Sequence, residues 1–265
     1  MPDRQLALEA LSAIVGVPVK SVKEFRRSNP GQKEPFALCP QDVVDVLVGR
    51  SLMDYLPEVI CQLELLSAGE ASTEAKALRQ EIFVDEEEFF DPQYDYDYTH
   101  KKKGAKVLKR GGEAYKRPWG WMRFAVKVSG KYKDGERWLQ KGAHAWPVSY
   151  HGTSIEAAKG VIKIHYRPGA GQVYGRGIYS TPNLDIASSY SKIFTSRTTQ
   201  KTYKVILQNR INPTNRIMCN EKDYWLVPIP KGTSAEKEKE TVENSIRPYG
   251  LLLQEVQCTN PQQKN

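Results

Sequence analysis

The chain has 265 residues and a formal charge of +8, from 39 lysines and arginines against 31 acids. Its apolar share of 40% can fill one sizeable domain with an extension beside it, and no apolar run is long enough to cross a bilayer. The positive balance favours anionic partners such as nucleic acid, nucleotide or an acidic protein surface. Cys39, Cys61, Cys219 and Cys258 lie far apart with no CxxC and no Cys/His ligand spacing. That pattern argues against a disulfide framework or a metal site, and for reduced thiols in cytoplasm or nucleus.

In chain order, residues 1–82 read as a helical module. The start, Met1-Pro2-Asp3-Arg4, with Glu9 and Lys20 following, is expected to carry no secretory signal. Leu6, Leu8, Leu11, Ile14 and Val15 sit near helical spacing, and Gly16 ends the run before Pro18. Further helices are expected over 42–48, 54–66 and 70–82. Residues 83–118 read as a charged, aromatic linker or arm. Acids and tyrosines (Asp85 to Glu88, then Tyr94, Asp95, Tyr96, Asp97, Tyr98) give way to Lys101-Lys102-Lys103, Lys106, Lys109-Arg110 and Lys116-Arg117. From 119 the pattern becomes short β-rich runs: 122–128, 146–150 ending at His151, 177–180, 203–210 and 250–256. Helices are expected over 154–164 and 183–191, with a glycine loop between them at Pro168-Gly169-Ala170-Gly171. Asn209 to Pro213 reads as a turn, Asp223-Tyr224-Trp225 as packing, and 231–239 as an exposed loop or frayed helix. Several strands with few short helices predict an α+β domain over 119–258, with a tail at 259–265.

Chemistry concentrates in three places. His151, at a strand end, supplies a hydrogen-bonding imidazole near neutral pH, and Gly152 lets a ligand come close to the backbone. Gly175 and Gly177 flank Arg176 with the same freedom. Tyr179 and Tyr190 each offer an aromatic face and a hydroxyl. Singly, each of these is more often a core tyrosine or a turn histidine. Gly169-Ala170-Gly171 lacks the third glycine of a dinucleotide fingerprint at its proper step.

The order Tyr150-His151-Gly152-Thr153, helix, glycine loop, Tyr174-Gly175-Arg176-Gly177-Ile178-Tyr179-Ser180, then Ala187-Ser188-Ser189-Tyr190 resembles the catalytic domain of the poly(ADP-ribose) polymerases. The likeness covers roughly 145–192 and extends toward the strand ending near Val256. It implies a split, two-sheet ADP-ribosyltransferase core that takes NAD as substrate and needs no metal. It further implies that His151 bonds the adenosine-side ribose, that the Gly152 backbone binds the nicotinamide carboxamide, and that Thr153 and Gly177 belong to the NAD-binding residues. Tyr179 would position the nicotinamide ribose, Tyr190 would stack on the nicotinamide ring, and 167–173 would be the donor loop. Two departures stand out. Ala187 occupies the place of a carboxamide-binding serine, leaving Ser188 as the candidate replacement. No glutamate stands where the third catalytic residue is expected, near Arg247 to Tyr249; Glu243 and Glu255 are several residues away. The resemblance therefore implies mono-ADP-ribosylation of an acceptor protein, with nucleic acid as a second acceptor class. A catalytically silent NAD- or protein-binding module and a basic nucleic-acid adaptor are the alternatives.

Overall fold

Helix α1 (Arg4–Val15) begins where the Asp3 side chain accepts from the Gln5 N–H and ends where Gly16 turns left-handed at φ 79. Both ends follow from local chemistry: a carboxylate satisfies a free helix N–H, and glycine adopts the αL cap without a Cβ clash. The structure, a computed structural model, describes residues 3–35, 37–47, 82–100, 106–152 and 174–256. The helices expected over 54–66, 70–82 and 154–164 and the donor loop at 167–173 lie outside those residues. So do Thr153, the Lys101 to Lys103 run and the 259–265 tail.

After α1 come strand β1 (Val19–Ser21), helix α2 (Val22–Ser28) and helix α3 (Pro40–Leu47). β2 (Ile82–Val84) pairs parallel with β1. The short helix α4 (Glu86–Phe89) and strand β3 (Tyr96–Asp97) follow, then a hairpin of β4 (Leu108–Arg110) and β5 (Glu113–Tyr115). The remaining strands are β6 (Met122–Ala125), β7 (Val148–His151), β8 (Gly177–Ser180), β9 (Lys192–Thr195), β10 (Thr202–Ile211), β11 (Ile217–Cys219), β12 (Tyr224–Pro228) and β13 (Ile246–Glu255). Helix α5 (Leu184–Ser189) precedes β9, and α6 (Ala235–Glu243) precedes β13. The molecule is an α+β protein with several antiparallel sheets.

The main sheet runs β3-β6-β13-β10-β7, with β9 also on β10; a second runs β11-β12-β8. Backbone pairing joins them at the β7–β8 junction. Tyr150 of β7 and Thr181, just past β8, exchange both backbone hydrogen bonds, at 2.8 and 3.0 Å. Side chains alternate across β10 because successive Cβ atoms point to opposite faces. Tyr203, Val205 and Leu207 join Leu251 and Leu253 in a cluster that includes Leu8, Leu11 and Phe90. Ile206 joins Leu252, Val148, Tyr150, Tyr115 and Ala187 on the other face. A third cluster holds Ile178, Trp225, Val227, Val242 and Ile246, which seats α6 against both sheets.

Several expectations change here. α1 shares a core with the main sheet, so its apolar stripe is part of the β-rich domain's interior and not of a separate core. The stretch after residue 82, read as a linker or arm with aromatics packing on the next domain, lends its aromatics to that same interior. Phe89 and Phe90 are buried, and β3 adds a strand to the main sheet. Asn209 and Arg210, read both as the end of a 203–210 strand and as part of a turn, lie inside the ten-residue β10 and are buried. The lysine–glutamate segment forms a proper helix, α6, because Ser234 caps it and Val242 gives it a buried face.

Candidate active site

The junction of the two sheets sets the position of His151. β7 ends there, with β10 on one side and the residues around β8 on the other. Its Nδ1 lies 2.6 Å from the backbone carbonyl oxygen of Tyr179. A carbonyl can only accept, so Nδ1 carries the proton and donates, leaving Nε2 as a bare acceptor in the neutral ring. Burial lowers the His151 pKa below the usual 6.5, and the Tyr179 carbonyl opposes that shift in part. The ring is therefore neutral at pH 7 and offers one lone pair to an incoming hydroxyl.

Gly152 follows, and its lack of a side chain is a packing requirement. A Cβ there would lie 2.3 Å from the Ala187 carbonyl and 2.9 Å from that of Tyr190. The end of α5 thus rests directly on the strand exit. Asn183 caps that helix by accepting from the Asp185 N–H, and Ala187 is its buried residue. Ser188, one step on, is turned about 100° around the helix. Its hydroxyl meets Lys204 Nζ at 3.4 Å, so it does not take over the direction that Ala187 occupies.

Tyr190 projects outward with 47% of its surface exposed, and its hydroxyl lies 3.4 Å from that of Tyr224. This contact first, and burial second, pushes the Tyr224 phenol up to about 12. The Tyr224 ring lies 6.4 Å from that of Tyr174. Tyr174 in turn donates its backbone N–H to the Tyr179 hydroxyl at 3.1 Å, while that hydroxyl donates to the Gly175 carbonyl at 2.7 Å. Contacts therefore run in a closed circuit: His151, Tyr179, Tyr174, Tyr224, Tyr190, Gly152 and back to His151.

The glycine pair serves the scaffold that carries this circuit. At Gly177 a Cβ would come within 2.0 Å of the Val227 carbonyl, so glycine permits the β8–β12 pairing. Arg176 is engaged by the scaffold itself. It donates to the Ile229 and Pro230 carbonyls at 3.0 and 2.9 Å and pairs with the buried carboxylate of Glu238, clamping the loop to α6.

Of the residues expected from sequence, His151, Gly152, Tyr179 and Tyr190 come together. Gly177 supports them from below, Ser188 faces elsewhere, and Thr153 lies outside the described residues. Near the expected third position, Tyr249 is the extra residue of a bulge in β13, where Gln208 pairs with Gly250 and Asn209 with Pro248, and its ring lies 5.2 Å from the Arg210 guanidinium. β10 stands between β13 and β7, so that backbone is about 10 Å from β7 at ordinary strand spacing. No carboxylate occurs on β13 before Glu255, which binds Lys201 at 2.9 Å.

Sequence reasoning missed Tyr174 and Tyr224, and the role of Tyr179's carbonyl. Alternation along β12 was the available signal. Trp225 is buried in the core, so its neighbour Tyr224 must face the other way. Among the described residues no group of His, Cys, Asp and Glu could hold a metal, and no helix is long and apolar enough to cross a membrane. No family model matches the chain, and no curated protein is similar to it.

Proposed function

We propose that this protein binds NAD at the sheet junction and transfers its ADP-ribose, as a single unit, to a macromolecular acceptor, most simply a protein side chain. One observation carries the reading. His151, Tyr179 and Tyr190, spread over 40 positions, are joined in one circuit of contacts with the imidazole's unprotonated nitrogen defined by a carbonyl. The two antiparallel sheets meeting at β7 and β8 are consistent with the split core of an ADP-ribosyltransferase.

In this mechanism the neutral His151 accepts a ribose hydroxyl at Nε2. Tyr190 and Tyr224 supply aromatic surface for the planar nicotinamide, and Tyr179, whose hydroxyl is tied to its own loop, positions the adjoining ribose by its ring. Holding both ends of the dinucleotide favours cleavage of the nicotinamide–ribose bond through an oxocarbenium-like sugar, because orientation lowers the entropic part of the barrier. The electron pair of the broken bond leaves with nicotinamide, and the acceptor's nucleophile closes on the sugar carbon. Polymer elongation is outside this scheme, since β13 carries no carboxylate before Glu255 and that one is bound to Lys201. The same missing carboxylate favours a second reading, a module that binds NAD or ADP-ribose without transferring it.

The test is incubation of the full chain with NAD labelled in the adenylate half, alongside His151→Ala and Tyr190→Ala. Label on protein that disappears in both variants supports transfer. Calorimetric binding without label supports the silent module. Neither binding nor label sinks both readings.

A further inference from the structure

Opposite charges that crowd the sequence between 85 and 117 have opposite fates in the structure. The acidic part is partly consumed internally. Asp95 pairs with Arg4 at 2.7 Å, Glu88 with Lys127 and Lys131 at 3.0 and 2.8 Å, and Asp85 approaches Arg26 at 3.6 Å. The basic part is not. Residues 106–117 hold five cations and one acid, Glu113, and that acid is turned inward to pair with Arg216. Arg216 itself lies against the Trp225 ring at 3.7 Å. Among the described residues, Lys106, Lys109, Lys116 and Arg117 are exposed and no ion pair engages them.

The ribbon that displays these cations is held firmly. Leu108 and Tyr115, cross-strand partners, face the cluster containing Tyr150 and Ile206. Tyr150 donates to the Lys116 carbonyl at 3.3 Å. The Gly111 turn sits so close to residues 145–147 that a Cβ would lie 2.2 Å from the Ala145 carbonyl. On the outward face, Lys109 stands opposite the small Ala114, which leaves room for a chain to lie along the ribbon. Just beyond Arg117, Trp119 is half-buried, edge-on to Tyr98 at 5.6 Å, and Tyr98 lies 4.2 Å from the exposed Tyr96.

We propose that the β4–β5 hairpin is a binding ribbon for single-stranded nucleic acid, with Lys106, Lys109, Lys116 and Arg117 on the phosphates and Trp119 beside a base. Cations alone would serve an acidic protein equally well. Cations beside a half-buried indole and the exposed Tyr96 ring match a strand that carries both phosphates and π-surfaces. The site is independent of NAD binding and stands or falls without it.

The experiment measures binding of the full chain to a labelled single-stranded oligonucleotide over a range of salt, without NAD. Log affinity should fall linearly with log salt. Replacing all four cations with glutamine should flatten that slope by about 3, at roughly 0.7 per phosphate contact on a single strand. Trp119→Ala should weaken single-strand binding about tenfold while leaving the slope intact, with circular dichroism confirming the fold of each variant. An unchanged slope in the quadruple variant would overturn the proposal. Poly-glutamate or duplex binding as tight as the single strand would overturn it too.

Discussion

Two aromatic clusters in this molecule are built from similar side chains and do opposite things. In one, Tyr132, Trp138 and Trp146 surround the Arg247 guanidinium at 4.0, 5.1 and 4.5 Å. Asp134 and the Glu243 carbonyl complete its hydrogen bonds, and all three rings are buried. In the other, Tyr174, Tyr190 and Tyr224 line the sheet junction, with Tyr174 and Tyr190 exposed. A cage filled by the chain's own cation pins a loop to β13, whereas aromatic faces left in solvent are a surface that a ligand can cover.

The largest expected effect separates the two directly. Arg247→Ala should cost about 3 kcal/mol in denaturant unfolding, from the cavity and the lost cation–π contacts. Tyr190→Ala should change stability by no more than about 0.5 kcal/mol, as exposed substitutions usually do. Equal losses in the two variants would show that the open cluster is structural after all, and the ligand surface would lose its basis.

Next in size is the seat of α5 on β7. Gly152→Ala forces a Cβ against two backbone carbonyls, which should cost about 2 kcal/mol as overpacking and displace Tyr190. Gly142→Ala is the control. Nothing lies within 4 Å of a Cβ there, so stability should hold or rise by about 0.5 kcal/mol. If Gly152→Ala unfolds at the wild-type midpoint, the helix is not seated as described.

Much of this architecture could be read in advance, for identifiable reasons. The stop at Gly16, the helix from Asn183 and the short strand at 177–180 are local, so the residues concerned carry the signal themselves. The glycines were also visible as places of close approach, but not what approaches them: Gly152 meets a helix end and Gly177 meets β12, contacts made by residues distant in sequence. The charged stretch after 82 reads as linker because its acids look solvated. Their partners Arg4, Lys127 and Lys131 lie on elements that only the fold brings near. Tyr224 was hidden for the same reason. Its pairing with Tyr190 spans 34 residues.

A smaller effect concerns the open cluster itself. If Tyr190 stacks on a planar ring, Tyr190→Ala should weaken a non-hydrolysable NAD analogue about tenfold, and Tyr190→Phe, which keeps the ring, much less. Tyr224→Phe removes the hydroxyl contact that steadies Tyr190 and should fall between wild type and Tyr190→Ala. Calorimetry on the three variants checks the order, and a Phe variant as weak as Ala would point to the hydroxyl instead of the ring.

The finest test uses protons, and it bears on the open cluster only. Burial holds the His151 pKa below 6.5 in the folded chain, so folding stability is fully present above 6.5 and is lost as pH falls below that value, where the unfolded chain takes up the proton first. The Arg247 cage is built from Tyr132, Trp138, Trp146 and Asp134 and holds no histidine, so it should not follow this imidazole. Ligand binding should follow the histidine. Protonation fills Nε2 and turns an acceptor into a donor, so analogue affinity should drop with acidification below the folded pKa, by up to about tenfold per pH unit. His151→Ala should abolish this dependence as well as most of the affinity. A wild-type profile that parallels the variant's would mean that Nε2 does not receive the ribose hydroxyl, and that the imidazole's bond to Tyr179 serves only to hold the two sheets together.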